Sequence, residues 1–424
     1  MNILWLSQLV PYPPTGLGVL QRSYNLIREL AGEHRVYLLG FVQRKPLEEI
    51  FGDPERGLKE AYAHLRSICA EVEFMPIPVD KRKNGRLRLA ARSLLMKDPY
   101  TINWMKSASM HRTARAWRAR HHFDLVHFDT ISLAPYLPDF LGLPITVNHH
   151  NIESHMMLRR AKLAANPLER AYFWQEGVRL KRYEQRVCRQ FDMHLTCSTL
   201  DTARLRHEND GLNVVEIPNG VDIDFFRPSG AEREAGNLVF AGNLGRYPNA
   251  AAASYIAERV WPLLQATRPG VTMHIIGANP SEALKALSQR EPRFKVLGFV
   301  PDVRPYLDRA EVYVCPITDG GGTKLKVLDA LAMGSALVAD PIACEGIDVK
   351  EGETVLFARE PEDYVRQIVR LLENKELRAR MGAAARQLVE DRFSYESIGT
   401  KLDRVMTDCA EVARSRVAGA AVHI

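Results

Sequence analysis

The sequence lacks the features that mark membrane-spanning, secreted and disulfide-stabilised proteins. No apolar run approaches the roughly 18 residues that a membrane span requires. The six cysteines lie far apart, and no close pair is spaced to hold zinc or to form a redox dithiol. Residues 1–6 have no basic flank that would make them a secretory signal. We therefore expect a cytoplasmic protein whose cysteines are reduced packing residues.

The composition also lacks any sign of disorder or of a fibrous repeat. Of the 424 residues, 46% are hydrophobic and 25% are charged, as in ordinary globular proteins. The chain is too long for one core, so we expect two domains. The net charge of +6 is unevenly distributed, because residues 81–122 contain 12 Lys or Arg and a single acid, Asp98. Such a stretch attracts phosphate in a nucleic acid, a lipid head group or a phosphorylated acceptor.

Short runs rich in Val, Ile, Leu and Phe alternate with amphipathic stretches, which is typical of buried parallel strands joined by crossover helices. We predict strands at 2–6, 35–41, 72–77, 124–128, 145–149 and 193–197 in the first half, and at 214–217, 238–241, 272–276, 294–297, 312–315, 336–339 and 355–357 in the second. The fold class is α/β, with two doubly wound Rossmann-like sheets.

A polar segment at 208–211 marks the predicted boundary between the domains. It gives an N-terminal domain over 1–210 and a C-terminal domain over 211–392. Residues 393–424 are expected to form a helix that packs back towards the N-terminal domain.

A glycine-containing turn follows the first predicted strand. Gly16 and Gly18 precede a helix there, so backbone N–H groups could approach a phosphate at the helix N-terminus. The turn lacks the third glycine of the dinucleotide fingerprint. Glycines needed only for backbone geometry are the alternative.

The turn and helix at 319–334 carry a stronger signal. Three consecutive glycines end a strand, and we expect Thr323 to cap the helix that Gly334 terminates. Leu325, Leu328 and Ala332 then face the core, whereas Lys324, Lys326 and Asp329 face a cleft. The helix end and the lysines predict a diphosphate site, and Asp329 predicts an acceptor for a ribose diol. An ordinary capped helix with solvated charges is the alternative.

Further motifs accompany this stretch. They are Ile217-Pro218-Asn219-Gly220-Val221-Asp222, Phe240-Ala241-Gly242-Asn243, Ile275-Ile276-Gly277 and Gly298-Phe299-Val300-Pro301-Asp302-Val303 in the second half, and Asp124 to His127, His150-Asn151-Ile152-Glu153 and Arg182-Tyr183-Glu184 in the first. Together they resemble glycosyltransferase family 4, a retaining family that uses sugar nucleotides, and in particular its members found with bacterial exopolysaccharide synthesis. The resemblance implies the GT-B fold, in which two Rossmann-like domains enclose a cleft.

The resemblance implies roles for several residues around the triple glycine. The family has two acids eight residues apart, of which the second contacts the donor ribose and the first contacts the transferred sugar. Asp329 stands at the second position. Gly321 stands at the first, and Asp319 is the nearest substitute. The backbone N–H groups of Gly322 and Thr323 would bind the diphosphate.

The family's basic pair is changed in this chain. Asn243 stands where the family usually has arginine, and Pro248 stands near the usual lysine. Arg246 and Lys324 are therefore left to neutralise the diphosphate. By the same resemblance, Asn219 is expected to line the donor site.

The resemblance places His150 near the reacting sugar. A neutral imidazole there would orient the acceptor hydroxyl or donate a hydrogen bond to the sugar. A surface histidine without a role is the alternative. Asp222 and Asp224 superficially match a paired-acid metal site, but such pairs in turns are commonly solvated. We expect no metal, and no cofactor besides the UDP- or GDP-sugar substrate.

The sequence therefore predicts a metal-independent hexosyltransferase that moves a sugar from a nucleotide sugar to a glycan acceptor, expected to be lipid-linked, with retention. A catalytically silent sugar-nucleotide binder of the same fold is the main alternative, because Gly321 replaces an acid. A nicotinamide-dependent oxidoreductase would need the missing dinucleotide fingerprint. A nucleic-acid-binding protein has only charge in its favour, so we expect no nucleic acid as a partner.

The basic stretch predicts contact with an anionic membrane. Leu87, Ala91 and Leu94 fall on one helical face beside Arg88 and Arg92, an arrangement that suits a bilayer surface. Arg86 and Lys97 add to the charge, and Trp104 and Trp117 would add anchoring if exposed. A solvated charge run is the alternative. We expect peripheral attachment at the inner face of the cell membrane.

Overall fold

A computed structural model describes residues 1–14, 18–319 and 322–421, with side chains up to residue 415. The chain divides into two compact units. The first unit is Met1–Ile217 together with Gly399–Ile424, and the second unit is Pro218–Ile398. Each unit is an α/β domain built on one parallel sheet.

The first unit is built on a seven-stranded sheet. Its strands are β1 (Asn2–Ser7), β2 (Arg35–Val42), β3 (Glu71–Pro76), β4 (Leu125–Phe128), β5 (Ile145–His149), β6 (Met193–Thr196) and β7 (Val214–Glu216). They lie in the order β3-β2-β1-β4-β5-β6-β7, and all neighbours are parallel. The direction of winding reverses between β1 and β4, which is the switch point of a doubly wound sheet.

The strand at 214–217 was predicted for the second half of the chain, and this prediction is wrong. β7 pairs in parallel with β6, with Val215 opposite Leu195. The Ile217 N–H donates to the Thr196 carbonyl at 2.9 Å. One helix at Thr199–Glu208 separates β6 from β7, so the crossover pattern of the first sheet continues for one more strand.

Helices connect the strands of the first unit. They are α1 (Gly18–Glu33), α2 (Arg44–Phe51), α3 (Pro54–Ile68), α4 (Gly85–Ser93), α5 (Tyr100–Trp104), α6 (Ala108–Arg120), α7 (Glu153–Leu163), α8 (Pro167–Val187) and α9 (Thr199–Glu208), with 3₁₀ segments at Pro78–Lys81, Ile131–Phe140 and Cys188–Gln190. Local sequence fixes several starts. Asn166 accepts from the Leu168 N–H ahead of α8, with proline at the first helical position.

The second unit is built on a six-stranded parallel sheet. Its strands are β8 (Asn237–Ala241), β9 (Thr272–Ile276), β10 (Phe294–Gly298), β11 (Val312–Cys315), β12 (Ala336–Ala339) and β13 (Leu356–Phe357). They lie in the order β10-β9-β8-β11-β12-β13, so this sheet reverses direction between β8 and β11.

The helices of the second unit follow the strands in alternation. They are α10 (Tyr247–Tyr255), α11 (Trp261–Thr267), α12 (Glu282–Arg290), α13 (Arg304–Arg309), α14 (Leu325–Ala332), α15 (Pro361–Glu373), α16 (Lys375–Arg392) and α17 (Tyr395–Ala421), with a π segment at Ile256–Val260 and a 3₁₀ segment at Pro341–Cys344. From Gly399 onward, α17 belongs to the first unit. There His34 Nε2 lies 2.5 Å from Asp403 Oδ1, and Arg414 pairs with Asp124.

The central strands are buried on both faces. Every residue of β4, β11 and β12 is buried, which explains why their sequences are apolar apart from His127 in β4. All six cysteines are buried free thiols, as predicted. Within the described part of the chain, no helix combines the length and the apolar character needed to cross a membrane.

Candidate functional site

The first candidate site lies at the switch point of the second sheet. Ligands of doubly wound sheets bind beyond the carboxyl ends of the strands at this point. β8 is followed by the turn 242–246 and α10, and β11 is followed by the connection 316–324 and α14. β8 and β11 are hydrogen-bonded neighbours, so the two connections emerge side by side.

Two glycines allow close packing around the turn after β8. A Cβ atom on Gly277, whose φ is +155°, would lie 1.9 Å from the Gly242 carbonyl oxygen. A Cβ atom on Gly242 would lie 2.9 Å from Lys326 Cε. The Lys326 side chain therefore extends from α14 to the end of β8, at the switch point. Lys326 was predicted from the sequence to face a cleft and to contribute to a diphosphate site.

The turn after β8 presents the N-terminus of α10. Asn243 Oδ1 accepts from the Gly245 N–H at 2.9 Å, and Asn249 Nδ2 donates to the Asn243 carbonyl at 2.8 Å. Asn243 thus shapes the turn. Arg246 is the residue before the first helical position, and its exposed guanidinium has no ion pair with any described residue. A cation at a helix N-terminus forms a favourable environment for a phosphate.

Helix α14 begins one residue later than predicted. The N-cap position is Lys324 and not Thr323, and no side chain caps the helix. Gly322 has a φ of +72°, and Lys324 is extended, so helical geometry starts only at Leu325. Lys324 is buried, and its Nζ donates to the Gly322 carbonyl at 2.9 Å. The Lys324 ammonium therefore supports the loop.

Asp329 has an unusual environment for a carboxylate. Its Oδ1 is buried and has no hydrogen-bond partner in the described structure. Burial raises the pKa of Asp329 to about 7, despite the opposing charge of Lys326. Burial likewise lowers the pKa of Lys326. Among the residues described, no ion pair joins Asp329 and Lys326. Asp329 Oδ1 is therefore a buried acceptor without a hydrogen-bond donor in the described structure.

The remaining predicted donor-site residues are placed as follows. Asp319 is half-buried in the connection after β11, and Thr323 is buried in the same connection. Asn219 is half-buried in the loop after β7, beside Gly220, which packs against the Tyr395 ring. Gly18 is the first residue of α1. Gly16 and Gly321 lie outside the described residues.

The second candidate site lies at the switch point of the first sheet. Asp129 directly follows β4 and is fully buried. Its carboxylate accepts from Ser23 Oγ at 2.9 Å and from Ser7 Oγ at 3.4 Å. His150 Nε2 lies 3.1 Å from Asp129 Oδ1, and only 9% of the His150 side chain is exposed. The structure therefore holds the predicted His150 in a fixed orientation.

The electrostatics of this group favour a charged Asp129. Burial alone would raise the pKa of Asp129, but the charge of His150 and the hydrogen bonds from His150 and Ser23 outweigh it and hold the pKa below its usual range. In the neutral imidazole, the hydrogen bond to the carboxylate favours the tautomer with the proton on Nε2, which leaves Nδ1 as the nitrogen that can accept. Sequence reasoning missed Asp129 and Ser23. The position of Asp129 immediately after a predicted strand was the available signal.

A second carboxyl group lies close to this histidine. Glu153 begins α7, and its Oε1 accepts from Thr130 Oγ1 at 2.7 Å. Its Oε2 is buried without a hydrogen-bond partner in the described structure. Burial raises the pKa of Glu153, although the Thr130 hydrogen bond and the charge of His150 oppose the shift. Glu153 thus adds an unsatisfied acceptor beside His150.

One cluster in the first unit has the composition of a metal site. One ring nitrogen of His149, one of His194 and the Cys188 Sγ all lie within 4.8 Å of one another, and all three residues are buried. The two rings are hydrogen-bonded at 3.1 Å, and His194 Nε2 lies 3.0 Å from the Cys188 carbonyl oxygen. Burial lowers the pKa of His194 to about 4 and raises that of Cys188. A chain of neutral hydrogen-bonded groups accounts for this arrangement.

Comparison with known proteins bears on both sites. Residues 235–374, within the second unit, match the family described as glycosyl transferases group 1. A phosphatidyl-myo-inositol mannosyltransferase of Mycobacterium tuberculosis is 26% identical over 308 residues, covering 70% of this chain and 76% of that protein. A GDP-mannose-dependent monoacylated alpha-(1-6)-phosphatidylinositol monomannoside mannosyltransferase of Corynebacterium glutamicum is 26% identical over 210 residues, covering 45% of this chain and 55% of that protein.

Solved structures match the whole architecture. Sucrose-phosphate synthase from Thermosynechococcus elongatus covers 96% of this chain and 99% of its own, with a TM-score of 0.66 and 14% identity. Anabaena Alr3699/HepE in complex with UDP covers 96% and 100%, with a TM-score of 0.62 and 16% identity. The GT-B fold and the resemblance to glycosyltransferase family 4 are confirmed. Residues 235–374 therefore resemble a group 1 glycosyl transferase domain.

Proposed function

We propose that the protein transfers a hexose from a UDP- or GDP-sugar to a lipid-linked glycan acceptor, with retention, in the synthesis of a bacterial polysaccharide. The observation that carries the donor part of the proposal is the buried, unpartnered Oδ1 of Asp329 at the switch point of the second sheet. A ribose diol offers the two hydroxyl donors that such an acceptor lacks. The names of the curated relatives, which are phosphatidyl-myo-inositol mannosyltransferases, support a lipid-borne acceptor.

The donor diphosphate would bind where the two connections of the second unit emerge. Lys326 reaches the end of β8, and Arg246 lies exposed at the N-terminus of α10. Lys324 and the backbone N–H groups of Gly322 and Thr323 complete the proposed set. Negative charge develops on the leaving phosphate during sugar transfer, and preorganised cations and helix ends stabilise such charge. In this proposal no metal and no further cofactor takes part.

Each unit supplies polar side chains to which we assign contacts with the sugar or the acceptor. Gly321 leaves the family's first acid position without a side chain, and we assign the sugar contact to Asp319 nearby. In the first unit, Asp129 holds His150 so that Nδ1 can accept a hydrogen bond from a sugar or acceptor hydroxyl. The Glu153 Oε2 offers a second acceptor for the acceptor hydroxyl.

The experiment that tests the donor proposal is a titration of the full chain with UDP, GDP, NAD and a DNA duplex, followed by thermal shift with individual nucleotide sugars. We expect saturable binding of UDP or GDP and a rise in melting temperature with one nucleotide sugar. Binding of NAD or DNA instead would contradict the proposal. Slow release of free sugar from the bound donor would separate an active transferase from a silent binder.

The membrane part of the proposal rests on the surface of α4 and the residues after it. Leu87 is 71% exposed and Leu95 is 94% exposed, beside the exposed Arg88 and Arg92. Exposed leucines among arginines suit the interface of an anionic bilayer.

Other residues of the basic stretch are occupied within the fold. Arg86 pairs with Asp80 and stacks on Trp104, while Trp117 is buried in the core. The structure therefore argues against Arg86, Trp104 and Trp117 as membrane anchors. Leu87, Arg88, Arg92 and Leu95 carry the proposed contact.

Co-sedimentation with phosphatidylglycerol liposomes at low and high salt tests this contact. We expect the parent to pellet at low salt and Arg88→Gln/Arg92→Gln to remain in the supernatant, because several basic residues must act together. Arg290→Gln/Arg380→Gln removes two exposed arginines from the second unit and is the matched control. Equal pelleting of all three proteins, or of none, would contradict membrane docking.

A further inference from the structure

The first unit contains a cavity that the proposed transfer reaction does not use. It has a volume of about 610 Å³ and lies between the α5–α6 loop, the 3₁₀ segment Ile131–Phe140 and the end of α8. Its lining includes neither Asp129 nor His150. The cavity therefore needs a separate explanation.

The polar side of the cavity carries an excess of positive charge. Lys97, Lys106 and Arg186 line it, together with one acid, Asp98. Lys106 Nζ lies 2.7 Å from Asp98 Oδ2, and Arg186 Nη2 lies 3.2 Å from Asp98 Oδ1. Lys97 is exposed and has no ion pair in the described part of the chain. One carboxylate thus serves two cations, and a third cation remains uncompensated.

Asp98 remains charged because Lys106 and Arg186 contact it. Burial alone would raise the pKa of Asp98, but the hydrogen bonds and charges of Lys106 and Arg186 outweigh it and lower the pKa. Asp98 therefore orients the two cations as a charged group over the neutral pH range. An incoming anion would complete their coordination without displacing the carboxylate.

The cationic side is held in place by the fold. Arg179 of α8 donates to the carbonyls of Ser93 and Asp98, which fixes the segment carrying Lys97 against that helix. The Arg186 guanidinium lies over the Tyr183 ring, 5.2 Å from its centroid. A site whose charged groups are already ordered loses little entropy when an anion binds.

Part of the cavity wall is apolar. It is formed by Ala134, Pro135, Leu137 and Pro138 of the 3₁₀ segment and by Val187 of α8. A strongly hydrated ion would gain nothing from this wall, whereas the organic part of an ester would bury apolar surface against it.

From this arrangement we propose that the cavity binds a phosphate ester, with the phosphate on Lys97, Lys106 and Arg186 and the ester group against the apolar wall. The ester is either a lipid phosphate or a soluble phosphate monoester, since both present the same dianionic head. This site is distinct from the nucleotide site of the second unit and does not depend on it.

Calorimetric titration of the full chain with octyl phosphate and with glycerol 3-phosphate tests the proposal. Saturating UDP and GDP are present, so that any nucleotide site is already occupied. We expect saturable binding of at least one ester to the parent. Tighter binding of octyl phosphate identifies a lipid phosphate as the natural class, and tighter binding of glycerol 3-phosphate identifies a soluble one.

A pair of variants makes the site assignment decisive. Lys97→Gln/Arg186→Gln should weaken binding of the preferred ester at least about tenfold, since two charge-assisted contacts are lost. Arg82→Gln/Lys83→Gln removes the same charge from exposed positions of the same stretch and should leave the affinity unchanged. Absence of saturable binding to the parent, or equal weakening in both variants, would overturn the proposal. Melting temperatures check that both variants are folded.

Discussion

Asp129, which directly follows β4 in the first unit, and Asp329, which lies on α14 in the second, have opposite environments although each lies near the switch point of its sheet. Asp129 accepts hydrogen bonds from Ser7, Ser23 and His150, and its pKa is held below the usual range. Asp329 Oδ1 has no hydrogen-bond partner in the described structure, and burial raises its pKa to about 7. The same residue type thus serves to orient a neighbour in one unit and remains unsatisfied in the other.

This difference indicates that the two aspartates have different roles. In the first unit, the buried Asp129 carboxylate fixes the orientation of His150, so the pair is organised before any ligand binds. In the second unit, Asp329 and the nearby Lys326 form no ion pair with each other among the described residues. This arrangement lowers stability until a ligand supplies hydrogen-bond donors to Asp329 and anionic oxygens to Lys326. Variants of the two aspartates should therefore differ in what they lose.

The largest expected effect comes from removing the charge that orients His150. Asp129→Asn should lower transferase activity by at least about 100-fold, because His150 loses the partner that fixes its tautomer. It should also cost about 1 to 3 kcal/mol of stability, because buried hydrogen bonds are broken. Activity assays and thermal unfolding measure the two losses.

Asp124 provides the control for this variant. It lies just before β4, at the opposite end of the strand from Asp129, accepts from the Asn2 N–H at 2.7 Å and pairs with Arg414. Asp124→Asn should lower stability and leave activity per folded molecule intact. Comparable loss of activity in both variants would mean that Asp129 acts only through the fold.

The next effect concerns the donor. Asp329→Asn should weaken nucleotide binding by about tenfold to 100-fold, since the carboxylate acceptor of a charge-assisted hydrogen bond is lost. Calorimetry with UDP and GDP measures the change. Asp340→Asn is the control, because Asp340 follows β12 in the same sheet but already accepts from the Ile342 N–H at 2.8 Å. Unchanged affinity in Asp329→Asn would show that the carboxylate has a structural role only.

Much of the fold was predictable because parallel strands leave a local signature. The strands at 145–149, 272–276, 312–315 and 336–339 were predicted with the bounds that the structure has. Burial on both faces favours apolar runs, such as those at 312–315 and 336–339, which can be recognised without tertiary information. The strand at 214–216 was assigned to the wrong sheet, because its partner β6 is set by the continuing crossover and not by its own residues.

The site residues could be predicted from the sequence only where their roles depend on neighbouring residues in the chain. Asp329 and Arg246 follow from motif positions, whereas Ser23 meets Asp129 from 106 residues away. Lys324 and Lys326 are equivalent in the sequence. Their roles differ because the positive φ of Gly322 delays the start of α14. The Lys324 ammonium then donates to a loop carbonyl, whereas the Lys326 side chain extends to the end of β8. Such a distinction depends on one backbone angle.

The opposite pKa shifts predict opposite pH dependence of stability. For Asp329 the folded pKa is raised above the unfolded value of about 4, so its contribution to stability is present below that value and is lost as the pH rises through about 7. The melting temperature of Asp329→Asn should therefore fall less than that of the parent between about pH 5 and about pH 8.

Asp129→Asn serves as the comparison in the same experiment. The folded pKa of Asp129 is lowered, so its contribution to stability is present above an unfolded pKa of about 4 and is lost only as the pH falls through the folded pKa. This variant should be less stable than the parent at both pH values by a similar amount. Parallel pH profiles for the parent and Asp329→Asn would contradict the raised pKa of Asp329.

The smallest expected effect distinguishes the two predicted phosphate cations. Arg246 is exposed and Lys324 is buried on the Gly322 carbonyl, so solvent and salt screen the first more than the second. Arg246→Gln should weaken UDP or GDP binding by roughly threefold at physiological salt, more at low salt, and leave the melting temperature unchanged. Lys324→Gln should lower both affinity and melting temperature, because a buried hydrogen bond is lost with the charge. If Arg246→Gln destabilised the fold, or if its effect on affinity did not depend on salt, Arg246 would not be a solvent-exposed phosphate contact.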